Sequence, residues 1–161
     1  MATARFDDLY REHAPGLVRF AHWLCGNRHD AEDLAAEAFV RAFAGADSIV
    51  AHTVKGYLLA IVRNLHLEAL RKRRPTEALD PDWPDAADCP ATRAESEQSA
   101  RNLARAIAAL GETDRSALLL RVEAQLSYEE IAAVLGLGVS NAKVRVHRAR
   151  LRLGKSLEDR T

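Results

Sequence analysis

The stretch Leu126-Ser127-Tyr128-Glu129-Glu130-Ile131-Ala132-Ala133-Val134-Leu135-Gly136-Leu137-Gly138-Val139-Ser140-Asn141-Ala142-Lys143-Val144-Arg145-Val146-His147-Arg148-Ala149-Arg150 decides the fold. Ser127 and Glu130 have the spacing of a capping box: the hydroxyl accepts from the Glu130 amide, and the carboxylate reaches back to the Ser127 amide. Ile131, Ala132 and Leu135 make one apolar stripe. Gly136 suits the left-handed position beyond a helix end. Ser140 is placed to cap a second helix, and Val139 with Val144 fits a hydrophobic staple at its start. Two short helices joined by Gly136-Leu137-Gly138-Val139 match a helix–turn–helix unit.

The second of these helices is strongly cationic. From Lys143 to Lys155 there are six Lys or Arg residues and no Asp or Glu. At 100° per residue, Ala142, Val146, Ala149, Leu153 and Leu157 share an inward side. Asn141, Arg145, Arg148 and Arg152 share another, with Val144 and Leu151 beside them. Early residues of such a helix meet base edges and later ones meet phosphates. Arg145 is a candidate partner for guanine, Asn141 for adenine and Val144 for a thymine methyl. The partner that fits this charge best is DNA.

Composition bounds the rest. The chain has 161 residues, 48% of them hydrophobic, enough for one medium domain or two small ones. Charge balances at 23 basic and 23 acidic residues, yet it is segregated. Residues 63–74 hold five basic groups and one acid, Glu68. Residues 75–95 hold six acids and one Arg. These local blocks, not the total, set the field. The first 25 residues are charged throughout, without the apolar run of a secretory signal. No stretch approaches the roughly 20 apolar residues of a membrane span. Cys25 and Cys89 make no disulfide framework, so a reduced, cytoplasmic setting is expected.

The expected architecture is all-α: two small helical domains joined by an acidic, Pro-containing linker. Pro75, Pro81, Pro84 and Pro90 fall among acids and small residues and mark that linker at 75–95. It separates an N-terminal domain at 1–74 from a C-terminal one at 96–161. The N-terminal domain reads as three helices. The first spans about Arg5 to Leu24, with Pro15 and Gly16 as a kink or break. The second is capped by Asp30 and buries a stripe of Leu34, Ala35, Ala38, Phe39, Ala42 and Phe43. After a 45–52 loop, Thr53 caps the third, which turns Val54, Tyr57, Leu58, Ile61, Val62 and Leu65 inward and ends in Arg71-Lys72-Arg73-Arg74. Helices at about 96–110 and 114–124 precede the helix–turn–helix.

These pieces resemble the extracytoplasmic-function (ECF) group of the bacterial sigma-70 family. Asp30-Ala31-Glu32-Asp33-Leu34-Ala35-Ala36-Glu37-Ala38-Phe39 is similar to the family's segment that grips core RNA polymerase. Gly56-Tyr57-Leu58-Leu59-Ala60-Ile61-Val62-Arg63-Asn64 resembles its promoter-melting and −10-reading helix. Leu126 to Ala132, with Val146-His147-Arg148-Ala149-Arg150, resembles its −35-reading motif. The resemblance implies an RNA polymerase sigma factor that binds core polymerase, recognises −35 and −10 elements and supports promoter opening. It implies docking on polymerase through Asp30, Glu32, Asp33, Leu34 and Glu37. It places −10 DNA at Arg63, Asn64, Arg71, Lys72, Arg73 and Arg74. It places −35 DNA at Ser140, Asn141, Lys143, Val144, Arg145, Arg148 and Arg152. The 45–52 loop would hold an extruded base, and the acidic linker would thread a cationic polymerase channel. An anti-sigma factor is the expected inhibitor. The chain departs from the family at Ser140-Asn141-Ala142-Lys143-Val144, where relatives commonly carry Gly-Thr-Val-Lys/Arg-Ser, and this opens the −35 preference.

Other readings carry less. A stand-alone helix–turn–helix regulator, with the N-terminal domain for dimerisation, is the rival. His22, Cys25 and His29 have metal-ligand character, but Gly26-Asn27 breaks the helix between them and a fourth ligand is unassigned. A packed cysteine with surface histidines is the expectation, with no cofactor or metal. No Gly-rich phosphate loop, nucleophile elbow or paired catalytic carboxylates suggests an enzyme or a small-molecule substrate.

Overall fold

Leu58, Leu59, Ala60, Ile61 and Val62 are five consecutive buried residues in one helix. No amphipathic helix lying on a single surface can do this, because successive residues point 100° apart. The helix must be covered on more than one side. The computed structural model, which describes residues 2–45, 53–72 and 90–159, shows what covers it.

The described residues form seven helices and no strand: α1 (Ala2–Cys25), α2 (Arg28–Ala44), α3 (Val54–Lys72), α4 (Pro90–Ala108), α5 (Glu112–Val122), α6 (Tyr128–Leu135) and α7 (Val139–Glu158). The all-α class expected from sequence is therefore the class observed. α1, α2 and α3 pack on one another, around Phe20, Phe39, Leu58 and Ile61. α5, α6 and α7 pack likewise around Leu120, Ile131 and Val146, with α4 against α7. Burying each of these large side chains contributes about 1.5–3 kcal/mol. The two groups also meet, through α3 with α6 and α1 with α4 and α5, which gives α3 its second covered side.

Local chemistry explains most helix ends and corrects three expectations. α1 runs unbroken through Pro15. The missing N–H is tolerated on the exposed side, while Leu17, Phe20, Ala21 and Leu24 anchor the continuing turns in the core. Asn27, not Asp30, caps α2: its side-chain oxygen accepts from the Asp30 amide at 3.1 Å. Asp30 instead sits in the first turn, where a carboxylate suits the positive end of the helix. The Thr53 hydroxyl accepts from the Gly56 amide at 3.0 Å and caps α3 as expected. α4 begins at Pro90, inside the span expected for the linker, because proline is well suited to a first helical position. Arg73, Arg74, Cys89, the 46–52 part of the loop and most of the linker lie outside the described residues.

Candidate nucleic-acid interface

The helix–turn–helix is assembled by backbone chemistry at three points. At Ser127 both capping-box hydrogen bonds form: the Glu130 amide donates to the hydroxyl at 3.1 Å, and the Ser127 amide donates to the Glu130 carboxylate at 3.2 Å. At Gly136, φ is 66°, and its amide and that of Leu137 both donate to the Ala132 carbonyl. At Gly138, extended backbone starts α7 without a side-chain cap. Ser140 is therefore not the cap; it lies exposed in the first turn. With Gly138 as the cap, Val139 is the first helical residue and not the one before the cap, so Val139 and Val144, 36% and 57% exposed, do not hold the positions of the expected staple. Tyr128 ties the unit together instead, with the Arg121 guanidinium 4.5 Å and the Lys143 ammonium 5.7 Å from its ring centre.

α7 packs inward through Ala142, Val146 and Ala149, with Leu153 partly buried. Its most outward line is then Ser140, Val144, His147 and Leu151, all exposed. Lys143 and Arg150 flank this line on one side. Arg145, Arg148 and Arg152 flank it on the other and lean towards α5. His147 and Arg150 belong to the exposed face, although charge pattern alone did not single them out.

What draws the three arginines aside is Asp114, in the first turn of α5 and 3% exposed. Arg148 donates to it through Nε and Nη2 at 3.1 and 3.2 Å, and Arg145 through Nη1 at 3.1 Å. Arg152 Nη1 stands 3.7 Å away. Burial opposes ionisation of this carboxyl. The hydrogen bonds and charges of Arg148 and Arg145 outweigh it and hold Asp114 below the usual carboxylate range. Arg145 Nε is buried without a hydrogen-bond partner among the described residues, so this side chain is bound into the domain more than it projects from it. Asp114 gave no sequence signal beyond an acid near a helix start, because its partners lie 31 and 34 residues away.

On α3, Asn64, Arg71 and Lys72 are exposed, whereas Arg63 is half-buried and turned to the C-terminal helices. Burial lowers the Arg63 pKa, and the nearby Glu112 charge counters this in part. His66 Nε2 is buried 3.6 Å from Glu112 Oε2. Burial would raise the Glu112 pKa, but His66, Arg115 and Ser116 together bring it below its ordinary value. Three further contacts join the two halves. Arg19 pairs with Glu123 at 2.9 Å, Lys55 Nζ donates to the Ala124 carbonyl at 2.5 Å, and the Thr53 hydroxyl reaches Glu130 at 3.5 Å. A cleft of about 290 Å³ lies beside them, lined by His13, Arg19, Lys55, Leu59 and Glu123 among others.

On α2, Glu32, Asp33 and Glu37 are exposed, and Asp30 and Leu34 half-buried. Asp30, Asp33, Leu34 and Glu37 share one side; Glu32 stands well round from them. Glu32, Asp33 and Glu37 pair along their own helix with Arg28, His29 and Arg41 at 3.3–3.5 Å, and exposed pairs of this kind contribute little. Cys25 donates its thiol hydrogen to the Asn27 carbonyl. His22 is buried and His29 exposed, so only one of these two is a surface histidine. Among the described residues no three His, Cys, Asp or Glu side chains group as a metal site.

A helical bundle with a cationic helix–turn–helix beside it is the architecture of a DNA-binding transcription protein. The matching families are Sigma-70 region 2, over residues 9–76, and Sigma-70 region 4, over residues 100–153. The chain is 36% identical over 157 residues to the ECF RNA polymerase sigma factor SigE of Mycolicibacterium smegmatis, covering 94% of this chain and 61% of that protein. It is 31% identical to the RNA polymerase sigma-E factor of Streptomyces avermitilis, covering 96% and 86%. The fold is similar to that of the sigma factor RpoE in complex with the anti-sigma factor NepR from Bartonella quintana, with TM-score 0.74, 26% identity and 96% and 97% coverage. It is also similar to CnrH in complex with the cytosolic domain of CnrY, with TM-score 0.73, 25% identity and 99% and 91% coverage. The chain belongs to the ECF group of the sigma-70 family of RNA polymerase sigma factors, which give the polymerase promoter recognition and transcription initiation.

Proposed function

We propose that this chain joins core RNA polymerase through α2, reads −35 DNA through α7 and −10 DNA through α3, and supports promoter opening in the cytoplasm. The observation that carries this reading is the capped α6–turn–α7 unit with Lys143, Val144, His147 and Arg150 exposed on its outer helix. Asp30, Asp33, Leu34 and Glu37 supply an acidic side with one apolar contact for polymerase; Glu32 adds charge from beside it. Asn64, Arg71 and Lys72 are free to meet −10 DNA, with Arg73 and Arg74 continuing the same basic run in sequence. Domains at 1–74 and 96–161, joined by an acidic connector, suit two promoter elements a fixed distance apart. Opening duplex requires unstacking of about a few kcal/mol, offset by contacts to the extruded base, so no catalytic residue or cofactor is needed. No described helix is long and apolar enough to cross a membrane. The solved relatives bound to an anti-sigma factor and to the cytosolic domain of CnrY support a protein inhibitor of this kind for this chain too.

The test is run-off transcription from genomic fragments by core polymerase reconstituted with the chain. Defined start sites that need the chain are expected. Glu37→Arg is expected to abolish co-elution with core polymerase while thermal unfolding stays unchanged. A wild-type chain that neither co-elutes nor directs initiation from any fragment would overturn the reading.

A further inference from the structure

Resting on the reading of α7 as the −35 helix, we propose that Asp114 is a positioning residue for promoter readout, fixing the Arg148 guanidinium so that one hydrogen-bonding edge faces DNA. An arginine on a helix surface samples many rotamers. Arg148 does not have that freedom. Its Nε–Nη2 edge grips Asp114 side-on, with both contacts at 3.1–3.2 Å. The guanidinium has five donors in a planar fork, and a side-on grip leaves the Nη1–Nη2 end edge unused. Arg148 is 42% exposed, and its Nη1 makes no hydrogen bond among the described residues. A guanine O6/N7 pair or a phosphate can take two parallel bonds from such an edge.

Asp114 is suited to this task. It is buried, it sits at the positive end of α5, and α5 packs directly on α7. The hydrogen bond from Arg145 Nη1 stops the carboxylate from rotating away. Arg145 is thereby a brace rather than a reader, with its Nε enclosed and only 32% of the side chain exposed. Arg152, 60% exposed and beyond hydrogen-bond range of Asp114, keeps a mobile charge for phosphate.

The experiment uses holoenzyme and a library in which the −35 segment of one transcribed genomic fragment is randomised. Sequencing the transcripts gives a base preference at each position. Asp114→Asn is expected to flatten the preference at one or two adjacent positions by about 3- to 10-fold, as for lost pre-organisation, and to leave the other positions unchanged. Arg148→Lys, which keeps the charge and loses the fork, is expected to flatten the same positions. The double variant should add nothing further. Arg148→Lys flattening a position that Asp114→Asn leaves intact would overturn the positioning role, and so would equal losses at every position. If Lys143→Ala, Arg150→Ala and both variants all leave the preferences untouched, the assignment of α7 to −35 DNA fails, and the proposal with it. A readout on the wild-type chain guards against a variant that does not fold: the Arg148 Nε–H order parameter without DNA should be near the roughly 0.85 of rigid backbone. A value under about 0.6 would overturn the proposal.

Discussion

Ser127 shows how much one side chain settles. Its hydroxyl and the Glu130 carboxylate satisfy two amides that the start of α6 would otherwise leave open. Ser127→Ala is expected to cost about 0.5–2 kcal/mol, read as a lower melting temperature with helix content at low temperature unchanged. Asp114 gives a pH signature. Its folded pKa lies below the ordinary value, so its stabilisation is complete above about pH 3.9 and is lost as pH falls through the folded value. The stability gap between wild type and Asp114→Asn should hold steady from about pH 5 to 8 and narrow below about 3.9; a gap that persists in strong acid would show that charge is not what matters there. Residues governed by neighbours in sequence were legible beforehand: the Ser127 box, Thr53 and Gly136. Residues governed by distant contacts were not. The Arg145–Asp114 pair is invisible to periodicity, and it ties into the domain a guanidinium that charge pattern alone leaves free. Asn27 was misread for a local reason, since Asp30 is an equally good cap type and only backbone geometry chooses between them.

Among the elements, α6 and α7 owe their relative angle to a short connection that needs one left-handed residue, Gly136, with φ 66°. A methyl there would meet no atom within 4 Å, so Gly136→Ala carries a backbone penalty alone, about 1–2 kcal/mol. Chemical denaturation is the measurement, and a neutral result would mean that the turn relaxes. The inward side of α7 was readable from its period, and Ala142, Val146 and Ala149 are buried as expected. α3 was only half readable. Its expected inward set omitted Leu59 and Ala60 because sequence gave no hint of a second covering surface, and Val54, placed inward, is 47% exposed. Phe43 was likewise expected inside and is 48% exposed, held at the rim by an edge contact with Phe6 at 4.6 Å between ring centres.

At the scale of the molecule, the halves pack through α3 with α6 and α1 with α4 and α5, and the polar contacts between them among the described residues include Arg19–Glu123, Lys55 with the Ala124 carbonyl, Thr53–Glu130 and the His66–Glu112–Arg63 cluster. Reversing two charges, as Arg19→Glu with Lys55→Glu, sets like against like at Glu123 and places an anion beside a carbonyl. Small-angle scattering of that variant should show a larger radius of gyration than wild type with the same helix content; identical profiles would show that apolar contact alone holds the halves. Arg63 then has two claimants. While the chain is by itself, Glu112 and the surrounding side chains enclose its guanidinium. If that group is to touch −10 DNA, as proposed, it has to leave Glu112 first. A chain folded in this way keeps one cation of its basic α3 edge sheathed against its own C-terminal half, so the charge it shows to a partner is smaller than its sequence suggests.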